Sequence, residues 1–253
     1  MKLITLNLWG GVVYEPLIEF IISHAEETDV FCFQEMLFGS HPQVTPVARA
    51  RENLFDEISL LLPEFTAYKH ISPTKHFEHE PIEFAGGQAI FVRKGIKVKD
   101  GGGFLCYDEI PYNTDAGGKI TGNLQWIDLE INDEVMTIAN LHGLWQKDTK
   151  KLDTPERLVQ SKKIKDFLAT KKGRQIICGD FNLLPDGKSI EILEQGMKNL
   201  VKEYNIQSTR SKFYQNGPRF ADYILVSTNI NVVDFKVFQD DVSDHLPLML
   251  DFS

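Results

Sequence analysis

The most informative feature of this sequence is a set of acidic, amide and imidazole side chains at the borders of apolar, strand-like runs. LITL, VFCFQ, MTIANL and QIICG are each followed by members of the set, and YILV and LPLML are each preceded by others. The set consists of Asn7, Glu35, His142, Asp180, Asn182, Asp222, Asp244 and His245. Because the end of one strand lies beside the start of its antiparallel neighbour, all of these side chains are able to meet at one rim of a sheet.

Together, these side chains match what the hydrolysis of a phosphoester requires. That reaction needs charge neutralisation on the phosphoryl oxygens, an activated water and a stabilised leaving oxygen. Mg²⁺ takes oxygen ligands and keeps several waters, so we assign Glu35, Asn7 and Asp244 as ligands of Mg²⁺, for which Mn²⁺ can substitute. A neutral histidine takes a proton from water while a buried aspartate holds its tautomer, and this assigns His245 and Asp222 to such a pair.

The remaining members are assigned to the substrate phosphate and to proton transfer. Asn182, Asn7 and His142 can donate hydrogen bonds to phosphate oxygens, and His142 is counted with the catalytic residues. Asp180 orients the nucleophile or handles the leaving-group proton. The sequence leaves open whether His245 or Asp180 is the general base, and whether one metal ion or two are used.

Basic residues ahead of Asp222 are candidates for contacts with the substrate phosphate. Arg219 is assigned to that role, and Arg210 and Lys212 lie close enough in the sequence to share it. Lysines also cluster at 147–151, 162–165 and 171–172. The lysine clusters are explained either as the solvated face of a helix or as a surface that tracks phosphates.

Hydrophobic periodicity predicts helices that alternate with strands early in the chain and hairpins later. Helices are predicted at residues 16–28, 47–62, 154–173 and 189 to about 200. Strands are predicted at residues 3–8, 29–34, 88–93, 124–131, 135–141, 174–179, 222–226, 232–238 and 246–252. A purely parallel sheet would not contain such hairpins, so we predict an α/β fold with two packed mixed sheets and helices outside. The long polar segments 72–87 and 99–123 are predicted to be loops that border the site.

Length and composition indicate an ordinary globular protein. The chain has 253 residues, 42% of them apolar, which suits one catalytic domain spanning residues 1–253. No apolar run approaches a membrane span and no signal peptide is found, which predicts a cytoplasmic protein. Cys32, Cys106 and Cys178 form no C-x-x-C pair and are predicted to be buried, reduced thiols. No feature indicates a protein partner, and a monomer is expected.

The formal net charge of −9 bears on the substrate. A tight non-specific DNA binder usually carries a basic surface, which this chain as a whole lacks. The negative charge does not exclude a phosphate substrate, because metal ions in a site can invert the local field. Two substrate classes stay open: nucleic acid, or a small phosphoester such as a phosphorylated lipid headgroup, sugar or nucleotide.

The segments NLWGG, FQE, NLHG, GDFN, ADYILVS and SDHLP, in this order, resemble the endonuclease/exonuclease/phosphatase superfamily. The resemblance runs from residue 3 to the C-terminus, and GDFN and SDH are its most specific parts. It implies a four-layer α/β sandwich that hydrolyses phosphoesters with a divalent metal ion. The implied roles are Glu35 as metal ligand, Asp180 and Asn182 at the scissile phosphate, and His245 as general base oriented by Asp222.

Some positions separate the branches of that superfamily. His142 resembles the histidine of the DNase, sphingomyelinase and phosphatase branches, whereas AP endonucleases generally lack it. Arg219 stands three residues before Asp222, where AP endonucleases tend to have RIDY, and their active-site tyrosine has no clear counterpart. These departures count against an enzyme specialised for abasic sites, and they select no substrate. We predict a divalent-metal phosphodiesterase of the nuclease type, with a phosphatase or phosphodiesterase of a small phosphorylated metabolite or lipid headgroup as the alternative.

Partial motifs of two other enzyme classes are present, but the spacing of their residues does not match. Residues 187–189 (GKS) precede a predicted helix as a phosphate-binding P-loop would, but Asn182 stands where the first glycine of that motif is needed. Ser243, Asp244 and His245 are adjacent, so neighbouring side chains would point to opposite faces and could not form a hydrolytic triad.

Two further alternatives are also disfavoured. A zinc site would use the histidines at positions 70, 76 and 79, but these do not match the helical H-E-x-x-H spacing, and solvated loop histidines explain them better. A catalytically silent binding module would be expected to have lost Glu35, Asp180 or His245, and all three are present.

Overall fold

Two mixed six-stranded β-sheets form the centre of the protein. The computed structural model describes residues 1–46, 48–72, 76–77, 80–81, 83–107, 119–120 and 122–253. Within these ranges, no helix is both long enough and apolar enough to cross a membrane.

The first sheet carries the amino-terminal strand near its centre. Its strands are, in spatial order, β15 (Val232–Val237), β16 (Leu248–Phe252), β1 (Lys2–Asn7), β2 (Val30–Leu37), β6 (Gly86–Arg93) and β3 (Phe65–Ser72). Strands β1 and β2 are parallel, and the other neighbouring pairs are antiparallel. Helix α1 (Tyr14–Ala25) makes the crossover that a parallel pair requires.

The second sheet repeats this arrangement around another parallel pair. Its strands are, in spatial order, β13 (Met197–Asn199), β14 (Asp222–Ser227), β12 (Arg174–Asp180), β10 (Glu134–His142), β9 (Asn123–Ile131) and β7 (Lys97–Leu105). Strands β10 and β12 are parallel and are joined through helix α3 (Pro155–Thr170). Each of the two six-stranded sheets therefore contains one β-α-β unit.

Outside these sheets, two short ladders pair β4 (His76–Phe77) with β5 (Glu80–Pro81), and β8 (Lys119–Ile120) with β11 (Trp145–Gln146).

The remaining helices are short. They are the 3₁₀-helix Trp9–Gly11, α2 (Leu54–Leu61), α4 (Lys188–Glu194) and α5 (Leu200–Glu203). Helix α3 begins where the sequence predicts, because Thr154 Oγ1 accepts the backbone N–H of Arg157 at 3.2 Å and Pro155 occupies the first turn. Serine or threonine before a first-turn proline is a strong helix start.

Strands that are buried on both faces explain the long apolar runs. In β2, Val30 and Cys32 belong to the cluster packed between the two sheets, whereas Phe31 and Phe33 belong to the cluster that also contains residues of α1 and α2. Successive side chains of a strand point to opposite faces, so both faces of such a strand are apolar. The predicted sandwich of two mixed sheets with helices outside is confirmed, and the three cysteines are buried thiols.

The predicted helix over residues 47–62 is wrong in its first half. Helix α2 begins only at Leu54, and the chain before it turns back on itself. Backbone hydrogen bonds join Thr45 N to Ala50 O at 2.9 Å and Glu52 N to Gln43 O at 3.0 Å. Of the apolar residues at helical spacing here, Ala50 is buried but lies in a turn, which periodicity alone does not distinguish from a helix.

Three strands of the two six-stranded sheets were not predicted, each for a separate reason. Helix α4 ends before Gly196, whose φ of 75° leads into β13, so the predicted helix to about residue 200 is too long. Strand β7 includes three consecutive glycines, which led to its prediction as loop. Strand β3 lies at the edge of its sheet and alternates only weakly. The two long segments predicted as loops, with the histidines at positions 76 and 79, fall largely outside the described side chains.

Candidate active site

The carboxyl ends of the two parallel strand pairs carry polar residues. Asn7 is the last residue of β1, and Glu35 lies near the end of β2 in the same sheet. His142 and Asp180 are the last residues of β10 and β12 in the other sheet, where they are register partners. Ligands of open α/β sheets bind outside the carboxyl ends of the strands, so both β-α-β units place side chains where a ligand is expected.

Asn7 connects the two sheets at this rim. Its Nδ2 atom donates to Glu35 Oε1 at 2.9 Å and to Asp180 Oδ2 at 3.2 Å. Its Oδ1 atom accepts the backbone N–H of Trp9 at 3.0 Å, which fixes the orientation of the amide. The amide therefore presents donors to the two carboxylates, an orientation that favours the hydrogen-bonding role predicted for Asn7 over its predicted role as metal ligand.

Antiparallel neighbours bring in the second half of the rim. Asp222 is the first residue of β14 and the register partner of Asp180. His245 lies three residues before β16, the neighbour of β1, and its backbone forms an isolated bridge with Arg210. The meeting of strand ends with strand starts, expected from the sequence, is what the structure has.

Glu35 reaches the rim through an irregularity in its strand. Its φ is 53°, and the register of β2 against β6 shifts between Phe33 and Met36. A β-bulge bends its strand and re-aims a side chain, and left-handed backbone at a residue other than glycine costs energy that concentrates at functional sites. The bulge interrupts the alternation of the buried strand at the one acidic residue within it.

Two glycines allow the NLHG and GDFN segments to approach each other closely. A Cβ on Gly179, whose φ is 123°, would lie 2.2 Å from the carbonyl oxygen of Leu141. A Cβ on Gly143 would lie 2.1 Å from the carbonyl oxygen of Phe181. These separations are far below van der Waals contact, so any other residue at either position would push the two segments apart.

His245 and Asp222 form a closely bonded pair. His245 Nδ1 lies 2.8 Å from Asp222 Oδ1 and 2.9 Å from Oδ2, and both residues are buried. Burial lowers the pKa of the imidazole, and the nearby Arg210 lowers it further. The carboxylates of Asp222, Asp244 and Asp180 raise it more, so the pKa of His245 lies above the ordinary histidine value.

Asp180 stands between the two halves of the site. Its Oδ1 atom accepts the backbone N–H of Asn182 at 2.9 Å, and its Oδ2 atom lies 3.6 Å from His245 Nε2. Burial raises the pKa of this carboxyl, but His245, Arg210 and other nearby cationic groups hold it at about 2. Asp180 is therefore a buried carboxylate and not a carboxylic acid at neutral pH.

His142 lies on the other side of Asp180. Its Nε2 atom is 3.6 Å from Glu35 Oε1. Burial lowers the pKa of His142, and the Asp180 carboxylate offsets only part of that effect. At neutral pH the ring is therefore mainly uncharged, with one N–H donor and one lone pair.

Two groups of potential metal donors share Asp180. Ligand atoms of Glu35, His142 and Asp180 lie within 4.8 Å of one another, as do those of Asp180, Asp222 and His245. Carboxylate oxygens suit Mg²⁺ and Mn²⁺. In the second group His245 and Asp222 already bond to each other, so the first group, with the carboxylates of Glu35 and Asp180, fits a divalent cation better.

Two residues assigned from the sequence have other partners. Asp244, predicted as a metal ligand, accepts from Arg210 Nη1 at 2.6 Å through Oδ2. Arg219, predicted to bind phosphate, directs its guanidinium at its own loop. It donates to Ser208 Oγ at 3.2 Å and to the carbonyl oxygens of Arg210, Ser211 and Tyr214. Asp244 is thus placed to position Arg210, and Arg219 to brace the segment 208–214.

Lys151 is the residue of this region that sequence reasoning did not single out. It belongs to the lysine cluster at 147–151, yet its side chain is 7% exposed and its Nζ donates to the Phe220 carbonyl oxygen at 2.8 Å. Arg210, named only as a general phosphate candidate, is 5% exposed. Nothing in the local sequence separates Lys151 from its exposed neighbours, because its burial results from contact with a segment 69 residues later.

The segment GKS carries no phosphate loop. Its backbone N–H groups at Lys188 and Ser189 donate to the two carboxylate oxygens of Asp153, at 2.7 Å and 3.0 Å. This carboxylate occupies the position that an anion would take at the start of α4. The rejection of a P-loop enzyme is therefore supported by the structure.

Comparison with known proteins agrees with this geometry. The model of the Endonuclease/Exonuclease/phosphatase family matches residues 4–245. None of the curated protein sequences matches the chain.

Several solved structures share the fold over the whole chain. A mannosyl-6-phosphatase from Bacteroides thetaiotaomicron VPI-5482 is 16% identical, with a TM-score of 0.72, and the match covers 100% of this chain and 99% of that one. A family protein from Leptotrichia buccalis C-1013-b is 20% identical, with a TM-score of 0.72 and the same coverage. The human Nocturnin catalytic domain with bound sulfate is 19% identical, with a TM-score of 0.71, covering 100% of this chain and 93% of that one. At these identities, the matches establish the fold and not the substrate.

Proposed function

Because the chain belongs to the endonuclease/exonuclease/phosphatase family, we propose that it is a divalent-metal-dependent phosphoester hydrolase in which an activated water attacks phosphorus. The observation that carries this proposal is the position of Asp180 between two functional pairs. On one side lies the Glu35–His142 pair, with donor atoms suited to a cation, and on the other lies the His245–Asp222 pair.

The His245–Asp222 pair has the arrangement of a general base and its orienting carboxylate. Asp222 accepts the Nδ1 hydrogen, so a neutral His245 keeps its lone pair on Nε2. Nε2 faces Asp180 Oδ2 across 3.6 Å, a separation that a water hydrogen-bonded to both groups can span. His245 takes the proton of that water in our proposal, and Asp180 orients the water.

The opposite pair supplies charge for the phosphoryl group. Glu35 and Asp180 would hold a divalent cation, Mg²⁺ or Mn²⁺, with His142 beside them. When bound, such an ion neutralises charge that develops on phosphoryl oxygens. Neutral His142 offers an N–H donor to a phosphate oxygen.

Two amides complete the proposed phosphate contacts. Asn182 Nδ2 donates to the Gly143 carbonyl oxygen at 3.2 Å and lies 3.4 Å from Asp180 Oδ2. The φ of 51° at Asn182 holds this amide in place at a cost that functional sites tolerate. Asn182 and Asn7 thus approach Asp180 from different segments, and we assign the N–H groups of both amides, which border the Asp180 carboxylate, to contacts with phosphate oxygens.

The substrate class favoured within this proposal is a small phosphorylated molecule, with nucleic acid as the alternative. The net charge of −9 opposes non-specific binding to nucleic acid. The cations beside the site, Lys151 and Arg210, are buried and do not form an extended surface track. One catalytic domain over residues 1–253, a cytoplasmic location and a monomeric state belong to the same proposal as expectations from the sequence.

The test is a panel of phosphoesters that includes nicked and linear DNA, RNA, a bis-aryl phosphate, and sugar and inositol phosphates. Each is assayed with Mg²⁺, with Mn²⁺ and with a chelator. Glu35→Gln and His245→Ala should each lower turnover by about 10² or more. Asp240→Asn, which alters an exposed carboxylate in the segment before His245, is the matched control and should retain activity. Activity that survives chelation contradicts the proposal.

A further inference from the structure

Lys151 is a buried ammonium without a carboxylate partner in the part of the chain that the structure describes. The residue is 7% exposed, and its Nζ atom donates to the carbonyl oxygen of Phe220 at 2.8 Å. Among the described residues, no carboxylate oxygen lies within 4.0 Å of its Nζ atom. Buried charges in proteins are normally paired or bind a ligand, so the position of this ammonium is suited to binding an anion.

The segment 148–151, which contains Lys151, has a strained backbone conformation. Asp148, Lys150 and Lys151 have φ values of 60°, 49° and 61°. Buried Arg157 of α3 fastens this segment, donating through Nη1 to Thr149 Oγ1 at 2.9 Å and to the Leu152 carbonyl oxygen at 2.6 Å. Left-handed backbone at residues other than glycine persists only where surrounding contacts impose it, and it concentrates at ligand-binding sites.

Arg210 brings a second buried cation to the same place. Its guanidinium carbon lies 4.2 Å from the centroid of the Tyr214 ring, and Lys151 Nζ lies 5.3 Å from that centroid. Asp244 neutralises one edge of the guanidinium, while Arg210 Nε is buried and has no hydrogen-bond partner among the described residues. Burial lowers the pKa of Lys151 most, and the like charge of Arg210 near the same ring lowers it further.

These cations adjoin the candidate active site. Arg210 forms a backbone bridge with His245, and its partner Asp244 lies 3.7 Å from His245 Nε2. The charge of Lys151 also acts on Asp180, whose pKa it lowers. An anion placed between Lys151 and Arg210 would therefore lie beside the groups that are proposed to activate water.

We propose that Lys151 and Arg210, packed on Tyr214, form a subsite for a dianionic phosphoryl group, so that the preferred substrate is a phosphomonoester. This inference rests on the proposed function and specifies its substrate class. A monoester phosphate carries nearly two negative charges at neutral pH, because its second pKa is near 6. A diester carries one negative charge fewer, so its attraction to the two cations is weaker.

The reaction at this subsite is ordinary hydrolysis. The water oxygen forms a bond to phosphorus while the bond from phosphorus to the ester oxygen breaks. One proton of the water passes to the leaving alkoxide by way of the protein, and the products are an alcohol and inorganic phosphate. No oxidant or second substrate is required.

The alternative is a purely structural role, in which Lys151 only holds its segment against the Phe220 carbonyl oxygen. Lys151→Gln keeps a donor for that carbonyl and loses the charge, whereas Lys151→Arg keeps the charge. A structural role predicts that both variants resemble the wild type. An anion subsite predicts that only Lys151→Arg does, and Lys147→Met, at an exposed lysine in the same segment, is the control.

The experiment compares p-nitrophenyl phosphate with methyl p-nitrophenyl phosphate, which have the same leaving group and differ by one charge. The wild type should prefer the monoester. Lys151→Gln should raise KM for the monoester about tenfold or more and change the diester less, since a hydrogen bond between charged groups is lost. Melting temperatures of all variants establish that they are folded.

Binding of inorganic phosphate, followed by calorimetry in the presence of chelator, provides a readout that is independent of turnover. Wild type and Lys147→Met should bind with equal affinity, and Lys151→Gln about tenfold or more weakly. Equal phosphate affinity and an equal ester preference in Lys151→Gln would overturn the subsite and leave metal-dependent hydrolysis standing. If the wild type hydrolyses neither ester nor any other phosphoester, the proposed function fails, and phosphate binding alone then decides the subsite.

Discussion

His245 Nδ1 lies within 2.9 Å of both carboxylate oxygens of Asp222. The two residues are 23 positions apart and are brought together because β14 starts, and the segment before β16 ends, at the same rim. A carboxylate that accepts the Nδ1 hydrogen fixes the tautomer of the ring and leaves Nε2 available as a base. The imidazole of His245 is therefore held in the tautomer in which Nε2 can accept a proton.

Asp222→Asn tests this relationship. An amide can offer its NH₂ group to Nδ1, which favours the wrong tautomer, and it removes a charge that raises the pKa of His245. We predict that kcat falls by about 10² or more, while the dissociation constant for Mn²⁺ changes little. Asp240→Asn, at an exposed carboxylate in the segment before His245, is the control. Unchanged kcat in Asp222→Asn would contradict the role of the pair.

Glu35 and Asp244 are predicted to differ in their effect on metal binding. Glu35 lies in the donor group with His142 and Asp180, whereas Asp244 pairs with Arg210. Glu35→Gln should weaken Mn²⁺ binding about tenfold or more in a calorimetric titration, since it removes an anionic oxygen ligand. Asp244→Asn should leave the Mn²⁺ affinity nearly unchanged. If Asp244→Asn weakened Mn²⁺ binding and Glu35→Gln did not, Asp244 would be the metal ligand, as the sequence suggests.

Arg219 is predicted to contribute to stability and not to phosphate binding. Its guanidinium donates to four groups in the segment 208–214. Arg219→Met should lower the free energy of unfolding by about 1–2 kcal/mol, allowing for its exposed position. Lys212→Met, which removes one exposed ion pair, should cost about 0.5 kcal/mol or less. Urea denaturation measures both, and a higher KM without lost stability in Arg219→Met would indicate a substrate contact instead.

The pH dependence of stability provides a test of Lys151. Burial and the charge of Arg210 lower its pKa to about 8, although the carboxylates of Asp180, Asp222 and Asp244 oppose this. The unfolded chain keeps this proton up to about pH 10.4, so between these values unfolding takes up a proton and stability rises with pH. Relative to Lys151→Met, the wild type should gain up to about 3 kcal/mol from about pH 8 to about pH 10.4.

Urea denaturation of both proteins across this range provides the measurement. Parallel curves would show that Lys151 titrates normally and would contradict its buried, charged state. Over the same range the affinity for inorganic phosphate should fall, because the ammonium loses its charge as the stability rises.

The sequence was sufficient for the sandwich and for the polar rim because both depend on regular features. Apolar strands buried on both faces stand out as runs, and the polar residues that end them are read directly. Asn7, Glu35, His142 and Asp180 lie at or near strand ends and could be placed together from strand geometry alone.

The partners of individual side chains could not be predicted in this way. Asp244 is adjacent to His245 in sequence, yet its carboxylate pairs with Arg210, 34 residues away. The burial of Lys151 depends on a long-range contact. Strand β7 forms despite its three consecutive glycines because it pairs along its length with β9. Such outcomes follow from tertiary packing, which local propensity and motif spacing do not encode.

The most direct test of the account is hydrolysis in ¹⁸O-labelled water, with the label located in the products. A small phosphomonoester is used, with Mg²⁺ or Mn²⁺ and, in parallel, with chelator. Attack of water on phosphorus predicts one labelled oxygen in the released phosphate, an unlabelled alcohol, and no turnover in chelator or in Glu35→Gln. Label in the alcohol, or undiminished turnover in chelator, would contradict the central claim.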